Sequence, residues 1–228
     1  MDVIELMTAL VTSEQEGAPP PPVTAEDAIG ISHHFHAEAE RVEAARADVA
    51  RQLEVTIACH QGCNGCCYDP LMVRGPEAVE VAAWLALPEQ ASVRALFLEA
   101  YPTWRAGVVD GPERLAALLR TGPQASYEDE HERMRKRAVL CAFNHEGACI
   151  IYPVRPMVCR HKHAIATAEH CQPASTTPPT RIAFVPLDNL VALSRRVMRA
   201  AERAALGPRS GQEALCKIVA GALAARAG

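Results

Sequence analysis

Four of the nine cysteines in this 228-residue chain fall within nine residues, Cys59-His60-Gln61-Gly62-Cys63-Asn64-Gly65-Cys66-Cys67. Nine scattered cysteines could each be a buried, reduced thiol, but four packed this tightly are poorly explained that way. The spacings are C-x3-C, C-x2-C and C-C. One short turn can then deliver several thiolates to a soft cation with little loop-closure cost. Gly62 and Gly65 let the backbone turn sharply and aim N–H groups at sulfur. Adjacent side chains cannot both point easily at one tetrahedral ion. One of Cys66 and Cys67 is therefore expected to serve another site, to bridge, or to stay a reactive thiol. Cys141, Cys149, Cys159 and Cys171 make a second set, and the two sets are expected to close over one metal-binding centre.

Composition narrows the setting. Apolar residues make up 49% of the chain and aromatic residues only 4%, so the core must be built mainly from Ala, Leu and Val. A net charge of −4 gives no electrostatic case for nucleic acid. No apolar run reaches the roughly 18 to 20 residues that span a bilayer, so no membrane partner is expected. The start, Met1-Asp2-Val3-Ile4-Glu5, is acidic and lacks the basic segment of a signal peptide. These features read as cytoplasmic, and in a reducing compartment clustered cysteines suggest metal or redox chemistry more than disulfides.

The fold class is mainly α, with an irregular cysteine-rich metal-binding centre of little β structure packed among helices. Residues 1–54 read as a helical extension: a short helix over 2–12, a proline-rich linker at about 14–23, and a long helix capped by Thr24. Ile29, Phe35, Val42, Val49 and Leu53 approximate one apolar stripe on that long helix. Residues 55–172 hold the cysteines. Within them Pro76 suits the first turn of a helix, and further helices are expected at about 89–100, 112–120 and 125–138, with Pro88, Pro102, Gly111-Pro112 and Gly122-Pro123 as boundaries. Ile150-Ile151-Tyr152 reads as a short strand. Residues 173–228 are expected to finish in two helices, 187–206 and 210–226, separated by Gly207-Pro208. The Leu/Val/Ala stripe of 187–206 is expected to be core or a surface for a protein partner.

The second set sits in Gly147-Ala148-Cys149-Ile150-Ile151-Tyr152-Pro153-Val154-Arg155-Pro156-Met157-Val158-Cys159-Arg160. With the knot, Val73, Glu77-Ala78, Cys141 and Cys171, this resembles the YkgJ-type cysteine-cluster family, a zinc- or iron-chelating domain. The resemblance covers about residues 55 to 172. Ala142 replaces the family's proline after Cys141, and His161-Lys162-His163 replaces an aromatic and a proline after Arg160. What the resemblance implies is metal binding through Cys59, Cys63, Cys66, Cys67, Cys141, Cys149, Cys159 and Cys171. Flagellin lysine methylases carry a similar motif, which points to iron–sulfur-linked methyl transfer in one branch. A shared cysteine module supports a shared cofactor more securely than a shared reaction. The first three cysteines also have the spacing of a radical S-adenosylmethionine cluster loop, but the strand–helix alternation of that class is missing.

Spacing leaves the cofactor open between Zn2+ and an iron–sulfur cluster, the latter of the 4Fe-4S type. Arg155, Arg160 and Lys162 flank the second set and could offset its negative charge, and Tyr152 packs beside it; Arg155 could equally serve to bond nearby carbonyls. His60, His145, His161, His163 and His170 are placed to act as auxiliary ligands or proton donors. His33 and His36 share a helix face, yet without a Glu-x-x-His partner that face reads first as packed or solvated. The charged run Asp129 to Arg137 reads as a solvated helix, and Cys216 as a solitary buried hydrophobe. Three functions remain open: a metal-dependent enzyme or maturation factor modifying a protein or peptide, a non-catalytic zinc-stabilised interaction module, and a thiol redox sensor.

Overall fold

In the computed structural model, which describes residues 1–60, 62–181, 183–207 and 210–227, the chain is mainly α-helical. Helix α1 (Val3–Glu16) opens with a capping box in which Asp2 accepts from Glu5 N, and it closes at Gly17 in the left-handed region. An extended run then leads to α2 (Ala25–Gln52). There Thr24 Oγ1 accepts from Asp27 N at 3.1 Å and Thr24 N donates to Asp27 Oδ2 at 2.9 Å.

The expected stripe on α2 holds in its first half, where Phe35 is buried and Val42 packs against the same cluster, and fails at its end. Ile31, Phe35, Ala39 and Ala50 are buried together with Ser32, His36 and Arg46, whereas Val49 and Leu53 are exposed. The periodicity of large apolar side chains misleads there because Arg46, whose guanidinium reaches His163, and Ala50 are the residues turned inward.

Strand β1 (Met72–Val73) leads into α3 (Gly75–Ala86), with Pro76 in its first turn. The free N–H groups at that end are met from a distant helix, since Gly75 N donates to Glu202 Oε1 at 3.0 Å and Arg74 Nη1 pairs with Glu202 Oε2 at 2.8 Å. Helix α4 (Ala91–Val108) passes straight through Pro102, which had been expected to end it. An interior proline costs about 3 kcal/mol. Burial of Phe97, Trp104 and Val108, with Phe97 stacked on Phe143 at 4.3 Å, offsets that cost. Helices α5 (Gly111–Thr121) and α6 (Gln124–Lys136) follow.

Strands β2 (Asn144–His145) and β3 (Ala148–Cys149) form a hairpin whose turn, Glu146-Gly147, has positive φ at both positions. The expected strand at 150–152 is absent: Tyr152–Val154 is a 3-10 turn, as suits a segment containing Pro153. The short helix α7 (Met157–His161) carries Cys159, and a 3-10 turn, Glu169–Cys171, carries Cys171. Helix α8 (Val185–Leu206) buries Leu187, Val191, Val197, Met198 and Ala201 as core. Pro208 of the expected Gly207-Pro208 break lies outside the described residues. The last helix starts later than expected, as α9 (Leu215–Ala227), because β4 (Glu213–Ala214) pairs antiparallel with β1.

Two hydrophobic clusters result. One joins the inner sides of α3, α4, α5 and α9 to Cys141, Phe143 and Ile151. The other joins α1, α2 and α8 to Met157. Residues 173–228 therefore contribute α8 to one cluster and α9 to the other. Among the described residues no helix is long and apolar enough to cross a membrane.

Candidate metal centre

The knot folds as its glycines require. Gly62 has φ +93°, and Gly65 is buried where a Cβ would lie 2.6 Å from Cys171 Cβ. Removing that side chain lets the 3-10 turn bearing Cys171 lie directly on the turn bearing Cys66 and Cys67. The second set is fastened to the first by backbone: Cys141 N donates to Cys67 O at 2.8 Å. Asn144 Nδ2 then reaches Cys67 Sγ at 3.4 Å. At the other end of the knot, Ala164 N donates to Cys59 Sγ at 3.1 Å and Ala58 N to Ala164 O at 2.9 Å. Cys159 is set by buried Glu77, whose Oε1 accepts from Met157 N at 2.8 Å and so fixes the start of α7.

The eight cysteines line two adjoining hollows. The inner one, about 60 Å³, is walled by Cys63, Cys66, Cys67, Cys141, Cys149 and Cys159, with Phe143, Tyr152 and Arg155. The outer one is an open cleft of about 460 Å³ bearing Cys59, Cys63, Cys66 and Cys171, with Asp69, Arg135, Lys162 and His163. Cys63 and Cys66 face both. Cys67 lines the inner hollow but not the cleft, and it also borders a small third hollow with Cys141 and Cys216. Among the described residues no three His, Cys, Asp or Glu side chains stand close enough to share one metal ion. The thiols wall a common space without converging on a point.

Six of the eight thiols are shifted toward the protonated form. Burial raises Cys149 to about 11 and also raises Cys59, Cys159 and Cys171. Cys66 is raised by contact with Cys67 and then by burial, and Cys141 by contact with Cys216 and then by burial. A cation entering this set would have to displace protons and would in turn favour the thiolates. In donor type, and in the N–H groups aimed at Cys59 and Cys67, the set suits a thiolate-bound metal.

The flanking residues take different places. Arg155 lies over the Tyr152 ring at 4.1 Å, pairs with Glu43 at 3.3 Å, and lines the inner hollow. Arg160 is buried and donates to the carbonyls of Arg155 and Pro153, both at 3.0 Å, so it clamps the loop that Arg155 had been a candidate to hold. Lys162 pairs with Asp69 in the outer cleft. His60 borders the inner hollow, and His163 and His170 the outer cleft. His161 Nε2 pairs with Asp188 Oδ1 at 2.9 Å. His145 lies in β2. Arg46 Nη1 donates to His163 Nδ1, and burial with that guanidinium lowers His163 to about 3.

Three residues take places that the sequence did not assign them. Asp69 holds both Lys162 and Arg135, the latter at 3.2 Å. Arg135 Nη2 also donates to the carbonyls of Cys171 and Gln172, both at 2.9 Å, so one residue of the supposedly solvated α6 braces the cleft. Its place in an alternating charged run hid that role. Cys216, read as solitary, has its sulfur 3.8 Å from Cys141 Sγ. Comparison with protein-family models, curated proteins and solved structures gives no match for this chain.

Proposed function

We propose that this chain is a metal-binding protein whose two cysteine sets hold zinc or an iron–sulfur cluster as one centre. One observation carries the reading: eight cysteines spread from Cys59 to Cys171 line two adjoining hollows that share Cys63 and Cys66. Cys63, Cys66, Cys67, Cys141, Cys149 and Cys159 are the inner ligand pool, and Cys59 and Cys171 extend it into the cleft. An iron–sulfur cluster supplies electron transfer or an open iron for substrate, and zinc supplies a Lewis acid. Arg155 offsets part of the thiolate charge beside Cys149, and Arg135 and Lys162 hold the cleft wall through Asp69.

The open cleft favours a metal-dependent enzyme or maturation factor over a purely structural zinc module, because it leaves room for a protein or peptide side chain beside Cys63 and Cys66. The resemblance of residues 55–172 to YkgJ-type proteins agrees with this cofactor choice, and a reducing compartment such as the cytoplasm suits the free thiols. The test is anaerobic purification with iron, acid-labile sulfide and zinc analysis. A brown sample with stoichiometric sulfide selects the cluster, and a colourless one holding only zinc selects zinc. A chain holding neither, and taking up neither on reconstitution, overturns the proposal.

A further inference from the structure

Away from the cysteines, α2 and α3 enclose a second group of donor atoms. His33, His36 and Glu40 follow one another along one stripe of α2, and Glu80 faces them from α3. His36 and Glu80 are buried, with 3% and 5% of their surfaces exposed. Their atoms Nδ1 and Oε2 are 3.0 Å apart, yet neither atom makes a hydrogen bond. His36 Nε2 and the nearby Ser32 Oγ are equally without partners. The two side chains are an ion pair without hydrogen-bond geometry, and with His36 Nε2 also unpartnered the buried pair keeps donor capacity unused. Ligands roughly 2.0–2.2 Å from one ion sit about 3 Å from each other in octahedral geometry, so this spacing matches two neighbouring ligands.

These atoms border a hollow of about 470 Å³ that His33 and Glu40 also line. As placed, His33, His36 and Glu80 do not converge on one point; His33 is exposed and one turn from His36, and its imidazole has to turn toward the pair for the three to share an ion. Glu40 is held at the rim by Arg160 Nη1 at 3.6 Å. We propose that His33, His36 and Glu80 form a thiolate-free site for a divalent first-row transition ion, a two-histidine, one-carboxylate set with open positions. The site is independent of the cysteine centre.

Mn2+ is the probe, because it favours nitrogen and oxygen donors over thiolates. The full chain is titrated with Mn2+ while the electron paramagnetic resonance signal of the free aquo ion is followed. The expected result is uptake of about one Mn2+ per chain, weakened at least about 10-fold by Glu80→Gln and by His33→Gln, and unchanged by Cys63→Ser. His33 is exposed, so His33→Gln keeps the fold even if Glu80→Gln loosens it. Absence of uptake by the unaltered chain overturns the proposal. So does uptake that survives both ligand variants, or uptake that disappears with Cys63→Ser.

Discussion

The sulfurs of Cys141 and Cys216 lie 3.8 Å apart although 75 positions separate them in the chain. Cys216 lies in α9, is 3% exposed and shares one core cluster with Cys141, which also borders the inner hollow. The contact therefore joins the last helix to the proposed centre. Cys216→Ala should cost about 1–2 kcal/mol in denaturant unfolding through lost packing while metal content stays unchanged. Cys141→Ala should lower metal content as well. Equal metal loss in both variants would place Cys216 among the ligands.

Gly65 tests how closely the two sets must approach. A Cβ there would lie 2.6 Å from Cys171 Cβ, so Gly65→Ala must push the Cys171 turn away. The expected cost is about 1–3 kcal/mol, with reduced metal content. Gly62→Ala meets no atom within 4 Å, and its strain comes only from φ +93°. It should lower stability while leaving more metal bound than Gly65→Ala does, as metal analysis of the two variants would show.

Arg135 braces the cleft through Asp69 and the carbonyls of Cys171 and Gln172. Arg135→Met keeps the aliphatic stem and removes those bonds, while Asp69 still pairs with Lys162. A loss of about 1–3 kcal/mol is expected, with faster alkylation of Cys171 by iodoacetamide. Lys136 on the same helix is mostly exposed and, among the described residues, pairs with Glu132 alone, so Lys136→Met should change neither quantity.

His163 gives the pH dependence a sign. Burial and the neighbouring Arg46 hold it at about 3 in the folded chain, below the ordinary 6.5. The unfolded chain therefore binds the proton first as pH falls, and stability present above pH 6.5 is lost progressively between 6.5 and 3. Melting temperature should drop over that window, and His163→Gln should flatten the drop. An equal slope in the variant would assign the acid sensitivity to other groups.

What was legible in the sequence was local. Thr24 caps α2 because its partner is three residues away, and the knot needs its glycines for two reasons: Gly62 takes φ +93° and Gly65 leaves room for Cys171. Pro102 misled because the penalty of an interior proline is visible in sequence, whereas the stack of Phe97 on Phe143 that offsets it is not. Val49 and Leu53 misled because large apolar side chains dominate a periodicity, while the end of α2 turns Ala50 and Arg46 inward, the latter onto His163. Arg135 and Cys216 stayed hidden for a common reason: each acts on a partner distant in the chain, and nothing near either one in sequence marks it.

The shared centre itself is tested most directly by metal content in two single variants, one from each set. Cys63→Ser and Cys159→Ser, purified anaerobically alongside the unaltered chain, should each lose most of the bound metal, because both cysteines wall the inner hollow. Full retention of metal in either variant would contradict a centre closed by both sets.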